Sequence, residues 1–145
     1  KKTINKIKIP LISMPKEVYL QTNKECKKNS KIGILATEAT VKTKVYSKYF
    51  DKNFRLISPD SSLQKNSVNK AIKFVKMGKV KEAEKVLKPA VNFLIKEKCK
   101  KIILGCTELP IAIFAYKSFK TAKDSKIFVD PNLLLAEICM RKYKN

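Results

Sequence analysis

Residues 102–110 read Ile-Ile-Leu-Gly-Cys-Thr-Glu-Leu-Pro. An apolar run stops at Gly105, and Cys106, Thr107 and Glu108 follow at once. This is the pattern of a buried strand opening into a helix, with the thiol at the turn. In an open α/β sheet, ligands occupy the crevice beyond the carboxyl ends of the strands. A helix start there lowers a thiol pKa, so the pattern predicts an available thiolate at Cys106. Thr107 reads as the helix N-cap and Glu108 as a first-turn acid suited to the helix dipole. Read as chemistry, Thr107 is a ligand donor and Glu108 a partner that tunes or orients the cysteine.

Working outward, a second segment has the same form. Lys31–Ala36 is a buried strand, and Thr37-Glu-Ala-Thr40 is a polar turn entering a helix. Thr37 and Thr40 would cap that helix or bind a carboxylate with hydroxyl and backbone N–H groups. Two such turns on neighbouring strands would build one crevice.

The rest of the chain alternates in the same way. Strands are predicted at Ile9–Ser13, Phe54–Ser58, Lys101–Gly105 and Lys126–Val129. Helices are predicted at Lys16–Lys28 after Pro15 and at Ala39–Phe50, where Val41, Val45 and Tyr49 are spaced by four. Asp60, Ser61 and Ser62 offer caps for a helix towards Met77 that stops at Gly78. A further helix is predicted over Val80–Lys98, with Pro89 kinking or breaking it near Lys85 to Lys88. Leu109–Phe119 reads as a short helix with Pro110 in its first turn, and Asp130-Pro131 starts a last helix through about Arg141. Strand–helix alternation predicts an α/β fold: a mostly parallel sheet with helices on both faces.

Composition narrows the chemistry. The chain has 145 residues, a net charge of +21 and no histidine. Without histidine there is no Ser-His-Asp triad, Cys-His pair or common zinc pattern. Three glycines leave no Gly-rich nucleotide loop. The positive charge is 31 Lys against two Arg, Arg55 and Arg141, with the lysines spread along the chain. Arginine is the residue that forks onto phosphates and base edges. The charge therefore points to attraction of small anions rather than to specific nucleic-acid binding. No apolar run approaches the roughly 20 residues of a membrane span, and the basic start, with its short apolar stretch interrupted by Pro10, Ser13 and Pro15, does not read as a signal peptide.

Four cysteines, Cys26, Cys99, Cys106 and Cys139, form no C-x-x-C pair. The chain is too rich in core residues to need a disulfide framework, which predicts a reduced, cytoplasmic setting. Cys26, Cys99 and Cys139 read as structural. Cys99 precedes Cys106 by seven residues, about 20 Å at 3.3 Å per strand residue, too far to act with it.

Ile-Leu-Gly-Cys-Thr-Glu-Leu-Pro at 103–110 resembles the second cysteine motif of the cofactor-independent aspartate/glutamate racemases. Gly-Ile-Leu-Ala-Thr-Glu-Ala-Thr-Val-Lys-Thr-Lys-Val-Tyr at 33–46 resembles that family's strand–turn–helix segment. Val-Lys-Met-Gly at 75–78 and Val-Asp-Pro-Asn-Leu-Leu-Leu-Ala at 129–136 are similar to two more of its stretches, in the same order. Ala39 stands where the family commonly has glycine. Glu108 after Cys-Thr points to the aspartate or broad-specificity branch, since the glutamate branch usually has histidine there.

The resemblance implies a mechanism in which two cysteines flank a substrate α-carbon and no pyridoxal phosphate or other cofactor takes part. Cys106 would be one of the two acid/base thiols. Thr107 and Thr40 would help to bind the carboxylate of a small anionic amino acid, beside the Thr37 read above as a donor at the same edge. Lys76 would steer it electrostatically, with Glu108 in support. The family has two similar α/β domains with the site between them. The resemblance spans only the second, with its closing helix at about 131–143, so a truncated or partial chain is expected. The opposite thiol would then come from a missing N-terminal half. Uncovered apolar surface predicts self-association as a homodimer or pairing with that half. The same resemblance admits a single-cysteine maleate isomerase or arylmalonate decarboxylase-like enzyme. A non-catalytic dicarboxylate-binding or partner-subunit domain is the reading from another class.

Overall fold

The computed structural model describes residues 11–115 and 126–143. Its elements in chain order are α1 (Met14–Glu25), β1 (Lys31–Leu35), α2 (Glu38–Lys42), α3 (Ser47–Phe50) and β2 (Arg55–Ile57). Next come α4 (Ser61–Leu63), a π-helical run (Gln64–Asn69), α5 (Lys70–Lys76) and α6 (Val80–Lys96). β3 (Lys101–Leu104), α7 (Glu108–Phe114), β4 (Phe128–Val129) and α8 (Pro131–Tyr143) complete the described chain.

All strand pairs are parallel, in the order β2-β1-β3-β4. Alternation along each strand sends side chains to two cores. Ile32, Ile34, Ile103 and Val129 face Val18 of α1, Phe50 of α3 and Leu134 and Ile138 of α8. Leu35, Ile102, Leu104 and Phe128 face Val68, Leu87, Val91, Leu94 and Ile113. The α/β reading of the sequence is therefore correct. β1 and β3 are neighbours, and the chain leaves them towards opposite edges, to β2 and to β4. Their carboxyl ends form the switch point at which α/β sheets open a crevice.

Two chain ends follow from backbone chemistry. α5 stops in a Schellman turn: Gly78 has φ +72, its N–H bonds Val75 O, and Lys79 N–H bonds Phe74 O at 2.8 Å. α4 starts on Asp60, whose Oδ1 accepts from Leu63 N–H at 2.8 Å.

The structure corrects several boundaries. Residues 11–13 form no strand, and the rest of the expected Ile9–Ser13 strand lies outside the described residues. The expected helix Ala39–Phe50 is two helices. Thr43 Oγ1 bonds back to Ala39 O at 2.7 Å, Lys44 turns left-handed with φ 52, and Tyr46, not Val45, enters the core. α6 runs unbroken through Pro89. The carbonyl that loses its partner there belongs to exposed Lys85, and on the inner side Ser67 Oγ donates to Val86 O at 2.6 Å. α7 begins one residue early at Glu108, β4 is only Phe128–Val129, and residues 116–119 of the expected helix lie outside the described residues.

Gly33 sets how closely α6 lies on the sheet. A Cβ there would stand 2.9 Å from Leu94 Cδ1 and 3.3 Å from Ile102 Cγ1, both fully buried side chains. Gly33→Ala is expected to destabilise the chain by about 1–3 kcal/mol through overpacking. Gly78→Ala, which meets nothing within 4 Å but keeps φ +72, should cost only about 1–2 kcal/mol. Urea unfolding midpoints for the two variants check both values.

Candidate active site

β3 ends at Leu104, and Gly105 N–H still bonds Leu35 O at 2.7 Å. The ladder thus carries Gly105 up against the end of β1. A Cβ at Gly105 would lie 3.0 Å from Ala36 Cβ and 3.4 Å from Tyr46 Cε2. Only glycine lets the two strand ends and the Tyr46 ring close up here, and that contact lifts Cys106 to the lip of the sheet. Cys106 is half-buried over a cavity of about 120 Å³ lined by Met14, Tyr46, Gly105, Thr107, Pro131 and Asn132.

Three side chains meet at one carboxylate. Cys106 Sγ donates to Glu108 Oε2 at 2.7 Å, and Thr107 Oγ1 donates to the same oxygen at 3.0 Å. Lys76 Nζ, at the end of α5, lies 3.5 Å from Glu108 Oε1. These contacts overturn two expectations. Thr107 has helical φ and ψ and caps nothing with its side chain, because its hydroxyl is committed to Glu108. Cys106 is not a ready thiolate: burial first, then the hydrogen bond and charge of the Glu108 carboxylate, push its pKa up to about 11, with the Glu108 backbone N–H and then Lys76 pulling the other way. Glu108 moves oppositely. The thiol's hydrogen bond, then Thr107 and Lys76, hold its pKa below the ordinary carboxylate value against the cost of burial. The helix start does not prevail at Cys106 because a buried thiolate beside a carboxylate is the costlier state.

Thr37 and Thr40 form a second group beyond β1. Their hydroxyls are 3.0 Å apart, and Thr40 N–H donates to Thr37 Oγ1 at 3.2 Å, so Thr37 is the N-cap of α2. Beside them Glu38 accepts from Asn69 Nδ2 at 2.9 Å and pairs with Lys42 at 3.3 Å. Among the described residues no hydrogen bond joins this pair to the Cys106 cluster. The two share the sheet edge, with Tyr46 between them: its ring lines the cavity under Cys106 and another containing Thr40, Lys44, Ser47 and Ser58. Burial raises the Tyr46 hydroxyl to about 12.

Sequence reasoning did not single out Tyr46, Asn132 or Met14. Tyr46 closes the 33–46 segment and Asn132 follows the Asp130 cap, so both lay within motifs already quoted. Asp130 Oδ1 accepts from Asn132 N–H at 2.9 Å, which turns α8 to bring Asn132 to the cavity. The other cysteines stand apart. Cys26 closes α1, Cys99 is buried just before β3, and Cys139 is two turns along α8 from Asn132.

The model of the Asp/Glu/Hydantoin racemase family matches residues 4–139. A glutamate racemase of Limosilactobacillus reuteri is 27% identical over 130 residues, which are 88% of this chain and 45% of that one. Among solved structures, the aspartate racemase of Picrophilus torridus matches with a TM-score of 0.71 and 26% identity, over 90% of this chain and 52% of that chain. An aspartate racemase homologue from Pyrococcus horikoshii matches in fold with a TM-score of 0.78 at 19% identity, over 99% of this chain and 61% of its own. The chain spans about half the length of the curated relatives it matches. No helix among the described residues is long and apolar enough to cross a membrane. With four parallel strands in the order of a doubly wound sheet and a family match over nearly all its length, the chain belongs to the Asp/Glu/hydantoin racemase family.

Proposed function

We propose that this chain is the second half of an amino-acid racemase acting on aspartate- or glutamate-type substrates without a cofactor, with Cys106 as one of two acid/base thiols. The observation that carries the reading is the Cys106–Glu108–Lys76 cluster at the sheet's switch point. Racemisation needs a proton taken from one face of the α-carbon and another given to the opposite face. The raised thiol and the lowered carboxylate both keep the proton on sulfur at neutral pH. In this state Cys106 is the acid, ready to protonate a carbanion. In the reverse direction its thiolate takes the α-proton once the thiol has passed its own proton to Glu108, the carboxylate to which it is bonded.

Lys76, 65% exposed at the side chain and with Glu108 as its one ion-pair partner among the described residues, can turn to a substrate carboxylate. Thr107 on the same carboxylate, and Thr37 and Thr40 beyond β1, supply hydroxyls and N–H groups for a carboxylate at the crevice. Such donors also support the negative charge that develops on proton loss. The other cysteines lie outside the site, so the opposing thiol comes from beyond these 145 residues, from the other half of a longer chain or from a second polypeptide. The site is thus read as lying between two halves, in a reduced cytoplasmic setting.

L-Aspartate and L-glutamate incubated with the chain in deuterated water test this. Loss of the α-proton NMR signal is expected, and its absence in Cys106→Ala. Lys76→Ala should raise KM about tenfold, equal to 1.4 kcal/mol of binding. Because the chain carries one of the two proposed thiols, deuterium should enter with retention, and inversion should need the half that supplies the opposing thiol. Binding without exchange would favour the dicarboxylate-binding domain. Exchange that survives Cys106→Ala defeats the proposal.

The resting thiol has its own test. Alkylation of Cys106 by iodoacetamide, followed by mass spectrometry, should be slow at pH 8 and climb towards about pH 11. Glu108→Gln removes the charge that raises the thiol, so alkylation at pH 8 should quicken several-fold, each pKa unit being about tenfold in thiolate. Lys76→Ala should slow it. Unchanged rates in both variants would refute the electrostatic account.

A further inference from the structure

A third cavity, of about 210 Å³, lies against α2 and the start of the π-helical run. It is lined by Glu38, Val41, Lys42, Pro59, Ser61 and Gln64. Gln64, 7% exposed, opens the π-helical run, a rare backbone form that is frequent at functional sites.

The hydrogen bonds fix how the Gln64 amide is turned. The Ala36 carbonyl and the Glu38 carboxylate can only accept. Glu38 Oε1 therefore takes its bond from Asn69 Nδ2 at 2.9 Å, which leaves Asn69 Oδ1 facing Gln64. Gln64 Nε2 then donates twice, to Asn69 Oδ1 at 2.8 Å and to Ala36 O at 2.9 Å. Both donors are used, and Oε1 has no hydrogen bond among the described residues. A buried amide oxygen ordinarily finds a donor. It is not among the atoms sealed from solvent, so it is a free acceptor on a residue of the cavity wall. The wall thus offers a neutral acceptor (Gln64 Oε1), an ionised carboxylate (Glu38), an ammonium (Lys42), a hydroxyl (Ser61) and apolar surface (Val41, Pro59).

We propose that this cavity binds a small aliphatic α-amino acid. Its ammonium donates to Gln64 Oε1 and Glu38, its carboxylate faces Lys42 and Ser61, and its side chain lies on Val41 and Pro59. A zwitterion with a short apolar tail answers all of these groups. In the free chain Glu38 and Lys42 answer each other at 3.3 Å, and a zwitterion replaces that contact with one to each of them; a simple anion still leaves Gln64 Oε1 without a donor. Because Glu38 and Lys42 belong to the same helix as Thr37 and Thr40, occupancy would be felt at the threonine pair. The site is separate from Cys106, and its existence does not depend on the racemase reading.

L-Leucine titrated into the isotope-labelled chain, followed by amide NMR, is the test. Saturable shifts are expected at Glu38, Val41, Ser61 and Gln64, equally in Cys106→Ser. Ser61→Trp fills the cavity from an exposed position, and Lys42→Met removes the cation at its mouth. Each should weaken the apparent affinity at least tenfold, and 4-methylpentanoate, which lacks the ammonium, should not bind. No saturable shift at tens of millimolar L-leucine overturns the proposal. So do shifts that survive both cavity variants unchanged, or shifts lost in Cys106→Ser, which would assign the binding to the Cys106 crevice.

Discussion

The pairing of β1 with β3 is the constraint on which the rest of the molecule depends. Side by side, with Leu35 opposite Leu104, these strands end together, and the chain then leaves each towards a different edge of the sheet. Two turns with polar side chains can therefore share the gap above them. Glycine is needed twice for this. At Gly33 the absent Cβ leaves room for Leu94 of α6, and at Gly105 for Ala36 and Tyr46. The first keeps a helix close on one face, and the second brings the strand ends together.

Within that frame the site is governed by desolvation and one carboxylate rather than by the helix start. Glu108 accepts from a thiol and a hydroxyl on one oxygen and faces an ammonium on the other. A partly buried carboxylate so supplied is stable as the anion, and its neighbour must then be the neutral thiol. The first N–H of α7, at Glu108, does favour the thiolate, but burial and the Glu108 carboxylate outweigh it. A similar economy of polar groups holds at α2, where Thr37 and Thr40 bond each other and, separately, Glu38, Asn69 and Gln64 form a chain that ends at the Ala36 carbonyl.

Where a local pattern decided the conformation, the sequence was legible. The runs at 31–36 and 101–105, the Asp60 and Asp130 caps and the Gly78 stop all took the form their residues dictate. The clustering of Cys106 with Glu108 was legible too, since the residues are two apart at a turn. What failed depended on contacts distant in sequence. Nothing local distinguishes Val45 from Tyr46 as the inward residue. The deciding fact is the space beside Gly105 and Phe50, which gives Tyr46 a place and makes Lys44 turn left-handed. Pro89 broke the sequence reading of α6 but not the helix, because packing against the sheet outweighs one lost bond on a solvated face. The π-helical run had no signal in composition; it exists where Gln64 and Ser67 reach the Ala36 and Val86 carbonyls. Lys76 was readable as a motif residue, but its hold on Glu108 required α5 to end beside α7.

A chain with 31 lysines cannot recognise an anionic substrate by charge alone. At 0.1 M salt, exposed charges are screened beyond about 10 Å, so the general positive field raises encounter rates without selecting an orientation. Lys31, Lys42 and Lys101 also pair with carboxylates, but the partner of Lys76, Glu108, is the one that holds the Cys106 thiol. On the proposed reading, a substrate carboxylate competes with Glu108 for Lys76. As the ammonium turns to the substrate, Glu108 and Cys106 both lose a positive charge that holds their pKa values down, so on this reading the thiol keeps its proton and meets the substrate as an acid. Burial and Glu108, not Lys76, keep Cys106 unreactive at rest. A thiol with a permanently lowered pKa would instead react with any electrophile that reached the edge of the sheet.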